Sequence, residues 1–139
     1  MYDVIIIGGS YAGMAAALQL ARARRSVCVI DAGQRRNRFA SSSHGVLGQD
    51  GVAPAEIANN AKAQLLRYPT ATWRTGTVTR AEKTQDFFTV STEQAERIVA
   101  QRLILATGVT DELPAIPPAR MPPPIPSMIA PWRVFSISC

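Results

Sequence analysis

The sequence predicts an α/β domain built on a parallel sheet with a small antiparallel excursion, and three observations carry that prediction. Residues 2–7, 26–31 and 103–106 are short apolar runs, the first two rich in β-branched residues, as expected of strands buried on both faces. Between the first two lies an alanine-rich stretch. Strand, tight glycine turn, helix and strand therefore fall within about thirty residues, which is the length of one βαβ unit. From Thr72 onward the apolar periodicity changes to two, the mark of half-exposed strands.

Each element follows in order. Residues 2–7 end at Gly8 and predict the first strand. Residues 13–24 carry alanines, Leu18 and Leu20 and finish in arginines that suit a helix C-terminus. Residues 26–31, "SVCVID", predict the second strand. Residues 32–52 are polar and rich in Gly, Ser and Arg. They read as a long ordered loop with room for a short helix, and loops of such length in compact domains are usually functional. A second helix is predicted over 54–66, with Pro54 at its start, Glu56 in its first turn, and Ile57, Ala58, Ala61 and Leu65 at helical spacing. Three strand candidates follow at 71–82, 86–92 and 96–108. The last ends in the run Leu103–Ala106 and is expected to return to the parallel sheet, leaving the smaller strands before it as the antiparallel excursion. After Leu113, prolines at 114, 117, 118, 122, 123, 124, 126 and 131 forbid a regular helix or central strand. The chain thus divides into a domain over 1–117 and a Pro-rich, irregular tail over 118–139.

A length of 139 residues suits one ordinary domain. The net charge of +5 comes almost wholly from arginine and could attract phosphate-bearing partners. Nucleic acid is not among those expected, because Arg22, Arg24, Arg25, Arg35, Arg36 and Arg38 bracket a strand with only Phe39 nearby. That pattern is a solvated basic rim. Two cysteines, Cys28 and Cys139, provide neither a disulfide framework nor metal-ligand spacing, so no metal and a reducing, cytoplasmic setting are expected. Residues 4–21 carry no charge, yet Asp3 stands where a signal peptide needs a cation, and glycines with Ser10 interrupt the would-be span. No membrane insertion is expected.

The βαβ start gives the turn residues physical work. Gly8 turns the chain out of the strand, a small residue at position 10 lets the backbone approach a pyrophosphate, and Gly13 lets the helix pack on the strand. The stretch reads Gly8, Gly9, Ser10, Tyr11, Ala12, Gly13, so serine replaces the middle glycine of the dinucleotide-binding fingerprint. The helix N-terminus adds free N–H groups and a positive dipole end. Asp31, at the end of the second strand, is the acid expected to hold the ribose hydroxyls, and it would repel a 2′-phosphate. FAD or NAD is therefore favoured over NADP at this site; a glycine turn without a ligand is the plainer alternative. At the far end, "RLILATGVTDELP" closes a buried strand with Ala106, Thr107 and Gly108, small residues that let the chain pass close to a cofactor. An ordinary strand followed by a glycine turn suits Gly108 equally well.

Through "DVIIIGGSYAGMAAALQLARARRSVCVIDAG", "RNRFASSSHGVLGQDG" and "LILATGVTDELPAIP", residues 1–117 resemble the thioredoxin-reductase-like pyridine nucleotide-disulfide oxidoreductases. The resemblance implies a Rossmann-like FAD-binding part. Gly8, Ser10 and Gly13 would lie on the pyrophosphate and Asp31 on the adenosine ribose. Ala32, Gly33 and Arg38 would follow the cofactor, and the 44–51 loop, with His44 and Gln49, would lie toward the flavin. Val78 would meet the adenine by its backbone, and Thr107 and Gly108 would line the cofactor. His44 equally suits an exposed loop position.

In such proteins NADPH passes hydride to the flavin, which reduces a disulfide or another acceptor. They insert an NADPH domain, often with a C-x-x-C pair, after a proline-marked linker near position 117, and then finish the FAD domain. Neither a second glycine fingerprint nor a cysteine pair occurs here. The expectation is a chain truncated before the NADPH domain and catalytically incomplete, with no catalytic residue assigned and NADPH required only by the missing domain. The tail "PARMPPPIPSMIAPWRVFSISC" departs from the family's continuation, as a frameshifted reading would, and Cys139 is a lone thiol. Expected partners are FAD and a redox acceptor protein or small disulfide; an unfinished sheet edge could also drive homodimerisation. Two other readings stay open: a small NAD-binding module, and a non-enzymatic protein whose "PPPIP" segment recruits an aromatic-grooved partner.

Overall fold

Val4, Ile5 and Ile6 follow one another without a polar residue because both faces of their strand are covered. A computed structural model describes residues 1–109 of the chain. The proposed boundary at 117 and the tail over 118–139 lie outside the described residues. The elements are β1 (Tyr2–Ile7), α1 (Tyr11–Arg22), β2 (Val27–Asp31), α2 (Pro54–Leu65), β3 (Ala71–Thr75), β4 (Val78–Lys83), β5 (Phe88–Thr92) and β6 (Arg97–Leu105).

The strands form one six-stranded sheet in the order β3-β2-β1-β6-β5-β4. β3, β2, β1 and β6 run parallel, whereas β6-β5-β4 is antiparallel. On the helix face, Val4 and Ile6 pack with Ala17 and Ala21 of α1, Val27 and Val29 of β2, and Leu65 of α2. On the opposite face, Ile5, Cys28 and Ile30 pack with Val90 of β5 and with Ile98 and Ala100 of β6. The meander therefore does for one face what the helices do for the other. Full burial of each large aliphatic side chain contributes about 1.5–3 kcal/mol, which outweighs the modest β propensity of any one residue.

Both sides of β6 are used in turn. Its first half pairs with β5 (Ser91↔Arg97 to Phe88↔Ala100) and its second half with β1 (Tyr2↔Ala100 to Ile7↔Leu105). This bears out the expectation that Leu103–Ala106 returns to the parallel sheet.

Two expectations need correction, and the expected long loop is found. The candidate strand at 71–82 is two strands broken at Gly76: β3 extends the parallel sheet beside β2, and only β4 belongs to the excursion. Period-two alternation marks a half-exposed strand in either kind of ladder, so an edge strand of the parallel sheet reads like a meander strand. Helix α1 begins at Tyr11 rather than Gly13, because Ser10 is the extended N-cap residue and its carbonyl accepts the Met14 N–H at 2.9 Å. Residues 32–53 contain turns but no helix or strand. That loop is closed by backbone bonds from Ser43 N–H to Val52 O (2.9 Å) and from Gly51 N–H to Ser43 O (2.7 Å).

Candidate functional site

The β1–α1 turn is held by contacts too close for side chains. Gly8 donates its N–H to Ile30 O at 2.8 Å, and Ala106 donates to Ile7 O at 2.8 Å, so the turn lies between β2 and the end of β6. A Cβ on Gly8 would run into the carbonyl of Ala106, and one on Gly13 into the carbonyl oxygen of Gly8. The two glycines thus let strand, helix and the Ala106–Thr107 backbone converge. Ser10 makes no side-chain cap bond and the first turn of α1 holds no acid. The N–H groups of Tyr11, Ala12 and Gly13 and the positive end of the helix dipole therefore have neither a side-chain cap nor an acid within the helix's own first turn.

Asp31 ends β2 beside this turn. Its Oδ1 accepts the Gly9 N–H at 3.0 Å, and its backbone oxygen accepts the Gly76 N–H at 3.0 Å. One charge-assisted bond leaves most of a carboxylate's acceptor positions available, enough for a vicinal diol. A cleft of about 240 Å³ opens here, lined by Gly9, Asp31, Gly33, Arg35, Asn59, Lys62, Trp73 and Thr75 among others. Trp73, Lys62 and Asn59 were not found by sequence reasoning. Once β3 is placed beside β2 the signal is plain, since Trp73 pairs with Val29 and shares its helix-side cluster.

The remaining predicted positions divide into two groups. Ala106, Thr107 and Gly108 follow β6 directly, and Gly108 adopts φ +69°. They border the glycine turn, so the two ends of the sequence pattern meet in space. Val78 opens β4 two residues after Gly76, whose N–H is tied to Asp31, while its side chain packs on the meander-side cluster. Arg38, by contrast, is engaged locally, donating to Arg35 O at 2.9 Å and lying over the Phe39 ring.

His44 is exposed on the 32–53 loop, with Nε2 at 3.2 Å from Ser42 Oγ and Nδ1 at 3.7 Å from Asp50 Oδ1. Gln49 donates its backbone N–H to Val46 O at 2.9 Å. Beneath His44 an open, largely apolar cavity of about 470 Å³ reaches Tyr11 and Pro54, whose hydroxyl and carbonyl lie 3.2 Å apart. The loop is thereby connected to the first turns of both helices. Among the described residues, no cluster of His, Cys, Asp and Glu could hold a metal ion, and no helix is long and apolar enough to cross a membrane.

The pyridine nucleotide-disulphide oxidoreductase family matches over residues 2–123. A thioredoxin reductase of Claviceps purpurea is 40% identical over 118 residues, covering 83% of this chain and 37% of its own length. An oxidoreductase structure from Agrobacterium tumefaciens is 59% identical with a TM-score of 0.81, covering 86% of this chain and 40% of that one. A thioredoxin reductase structure from Streptococcus pyogenes is 30% identical with a TM-score of 0.76, covering 84% and 38%. The chain therefore spans well under half the length of the relatives it matches.

Proposed function

Because the chain belongs to the pyridine nucleotide-disulphide oxidoreductase family, we propose that it forms the FAD-binding part of a thioredoxin-reductase-like flavoprotein. The observation that carries this reading is the position of the α1 N-terminus. In the strand order β3-β2-β1-β6 the connections run in opposite directions from β1, and ligands of open α/β sheets bind at such a switch point, outside the carboxyl ends of the strands. The uncapped first turn of α1 lies there, with Asp31 on the next strand and Thr107–Gly108 on the other side.

The residues fit the group. The amides of Tyr11, Ala12 and Gly13 would take the pyrophosphate, with Gly8 and Gly9 letting the turn close against Ala106 and Trp73 and the Ser10 hydroxyl free of any cap bond. Asp31 would hold the adenosine ribose, beside Ala32 and Gly33. A Cβ on Gly33 would meet nothing within 4 Å, so the backbone there is open to a ligand. Val78, Arg38, His44, Gln49, Ala106, Thr107 and Gly108 would follow the rest of the cofactor. When bound, a flavin supplies hydride acceptance from a nicotinamide and onward reduction of a disulfide or other acceptor. This chain's part is to bind, orient and shield. NADPH and the acceptor belong to the whole flavoprotein rather than to residues 1–109. The free, buried Cys28 suits a reducing cytoplasmic compartment.

The test is uptake. Full-length chain incubated with FAD and passed through a desalting column is expected to emerge yellow, and Asp31→Ala to lose most of that flavin. Colourless protein would sink the reading, and tighter binding of NADH than of FAD in parallel titrations would replace it with an NAD-binding module.

A further inference from the structure

Trp73 occupies the space that makes position 9 a glycine. The outer edge of its indole, Cη2 and Cζ2, lies where a Cβ on Gly9 would have to sit, beside the Cβ of Asp31. Lys62 Nζ of α2 lies over the ring, 4.2 Å from its centroid, adding a cation–π contact to the indole face. Gly9, Asp31 and Trp73 then meet at one wall of the cleft, and the Gly9 N–H to Asp31 Oδ1 bond runs alongside that ring edge. An N–H···carboxylate bond open to water competes with hydration, whereas one covered by an apolar ring is stronger and better oriented.

We propose that Trp73 is a positioning residue for adenine-nucleotide recognition: its ring edge braces the Gly9 turn so that the Gly9 N–H holds the Asp31 carboxylate toward the sugar hydroxyls. The proposal rests on the FAD reading above and adds to it a residue outside the glycine fingerprint. Removing the ring leaves Asp31 in place in the sequence but frees its carboxylate to turn into water. Recognition of the sugar hydroxyls is then lost while the pyrophosphate contacts at α1 persist.

Calorimetric titration of the full chain with ADP and with 2′-deoxy-ADP tests this. The parent chain is expected to prefer ADP by about tenfold, the worth of one hydrogen bond to a charged group. In Trp73→Leu the preference falls toward unity because ADP binding weakens about tenfold while 2′-deoxy-ADP binding barely changes. Trp73→Phe fills the same strand position with a shorter ring, so it folds like the parent and keeps an intermediate preference of about threefold. Equal weakening of both nucleotides in Trp73→Leu, or a full ADP preference in Trp73→Phe, would overturn the proposal and leave Trp73 a packing residue. A parent chain that binds neither nucleotide, or ignores the 2′-hydroxyl, would instead overturn the FAD reading itself.

Discussion

Gly8 turns out of β1 at φ +105° with its α-carbon against the carbonyl of Ala106. Neither partner can retreat, because Gly8 N–H is bonded to Ile30 O and Ala106 N–H to Ile7 O. Gly8→Ala therefore combines a backbone conformation that L-residues avoid with a clash against fixed backbone, and is expected to cost about 3 kcal/mol. Urea unfolding of the two chains measures it.

Gly33 is the contrast. It too has positive φ, at +76°, but a Cβ there would meet nothing within 4 Å. Gly33→Ala is expected to cost only about 1 kcal/mol, the conformational share alone. If the two substitutions proved equally costly, the close approach at Ala106 would not be what constrains the turn.

At Gly13 two effects oppose each other. Alanine is the better helix former by about 1 kcal/mol, yet its methyl would fall on the carbonyl oxygen of Gly8. Overpacking against backbone costs about 1–3 kcal/mol, so Gly13→Ala should lower the thermal midpoint rather than raise it. A rise would mean that α1 can shift away from β1 at little cost.

Asp3 supplies a pH dependence. The Ser26 N–H and hydroxyl donate to its Oδ2 at 2.7 and 2.8 Å, and these bonds hold its carboxyl below the usual range, with Arg25 and Arg102 adding to the effect. A depressed folded-state pKa gives stability that is present above the unfolded value, near pH 4, and lost as pH falls through the folded value. Asp3→Asn should remove that part of the acid sensitivity below about pH 4 and leave the neutral-pH curve nearly parallel to the parent's. Unfolding curves that stay identical in their acid limbs would contradict it.

Cys28 is wholly buried, and burial pushes its thiol pKa up, against the opposing influence of Arg74. In a Cys139→Ser chain the remaining thiol is expected to react with an aromatic disulfide reagent at the rate of unfolding, not at that of a free thiol. Prompt labelling under native conditions would show that the meander lifts away from β2.

The parts of the fold legible in the sequence were those whose signal is local. β1, α1 and β2 each carry an uninterrupted pattern of their own, and Leu103–Ala106 is apolar enough to announce a central strand. The residues around Trp73 were not legible, because "ATWRT" and "VTRAE" alternate alike, and only the pairing of β3 with β2 distinguishes them. The same limit applies to the candidate site. Gly8, Gly13 and Asp31 are set by spacing along one unit, whereas Trp73 and Lys62 reach the cleft from separate elements by long-range packing. The sequence offers two readings of His44, and its exposed side chain, which meets Ser42 and Asp50 of its own loop, shows why a lone histidine in a polar stretch carries so little information.

The double use of β6 also bears on how the molecule assembles. β1 acquires its second neighbour only when a segment about a hundred residues later is available, and that segment anchors the meander through Ala100. Loop-closure entropy must be met before that pairing contributes anything, so closure at β6 is expected to be slower than formation of the β1-α1-β2 unit. A nascent chain arrested before residue 97 would hold its glycine turn with one wall absent, and one extended past residue 105 would have both neighbours of β6 available.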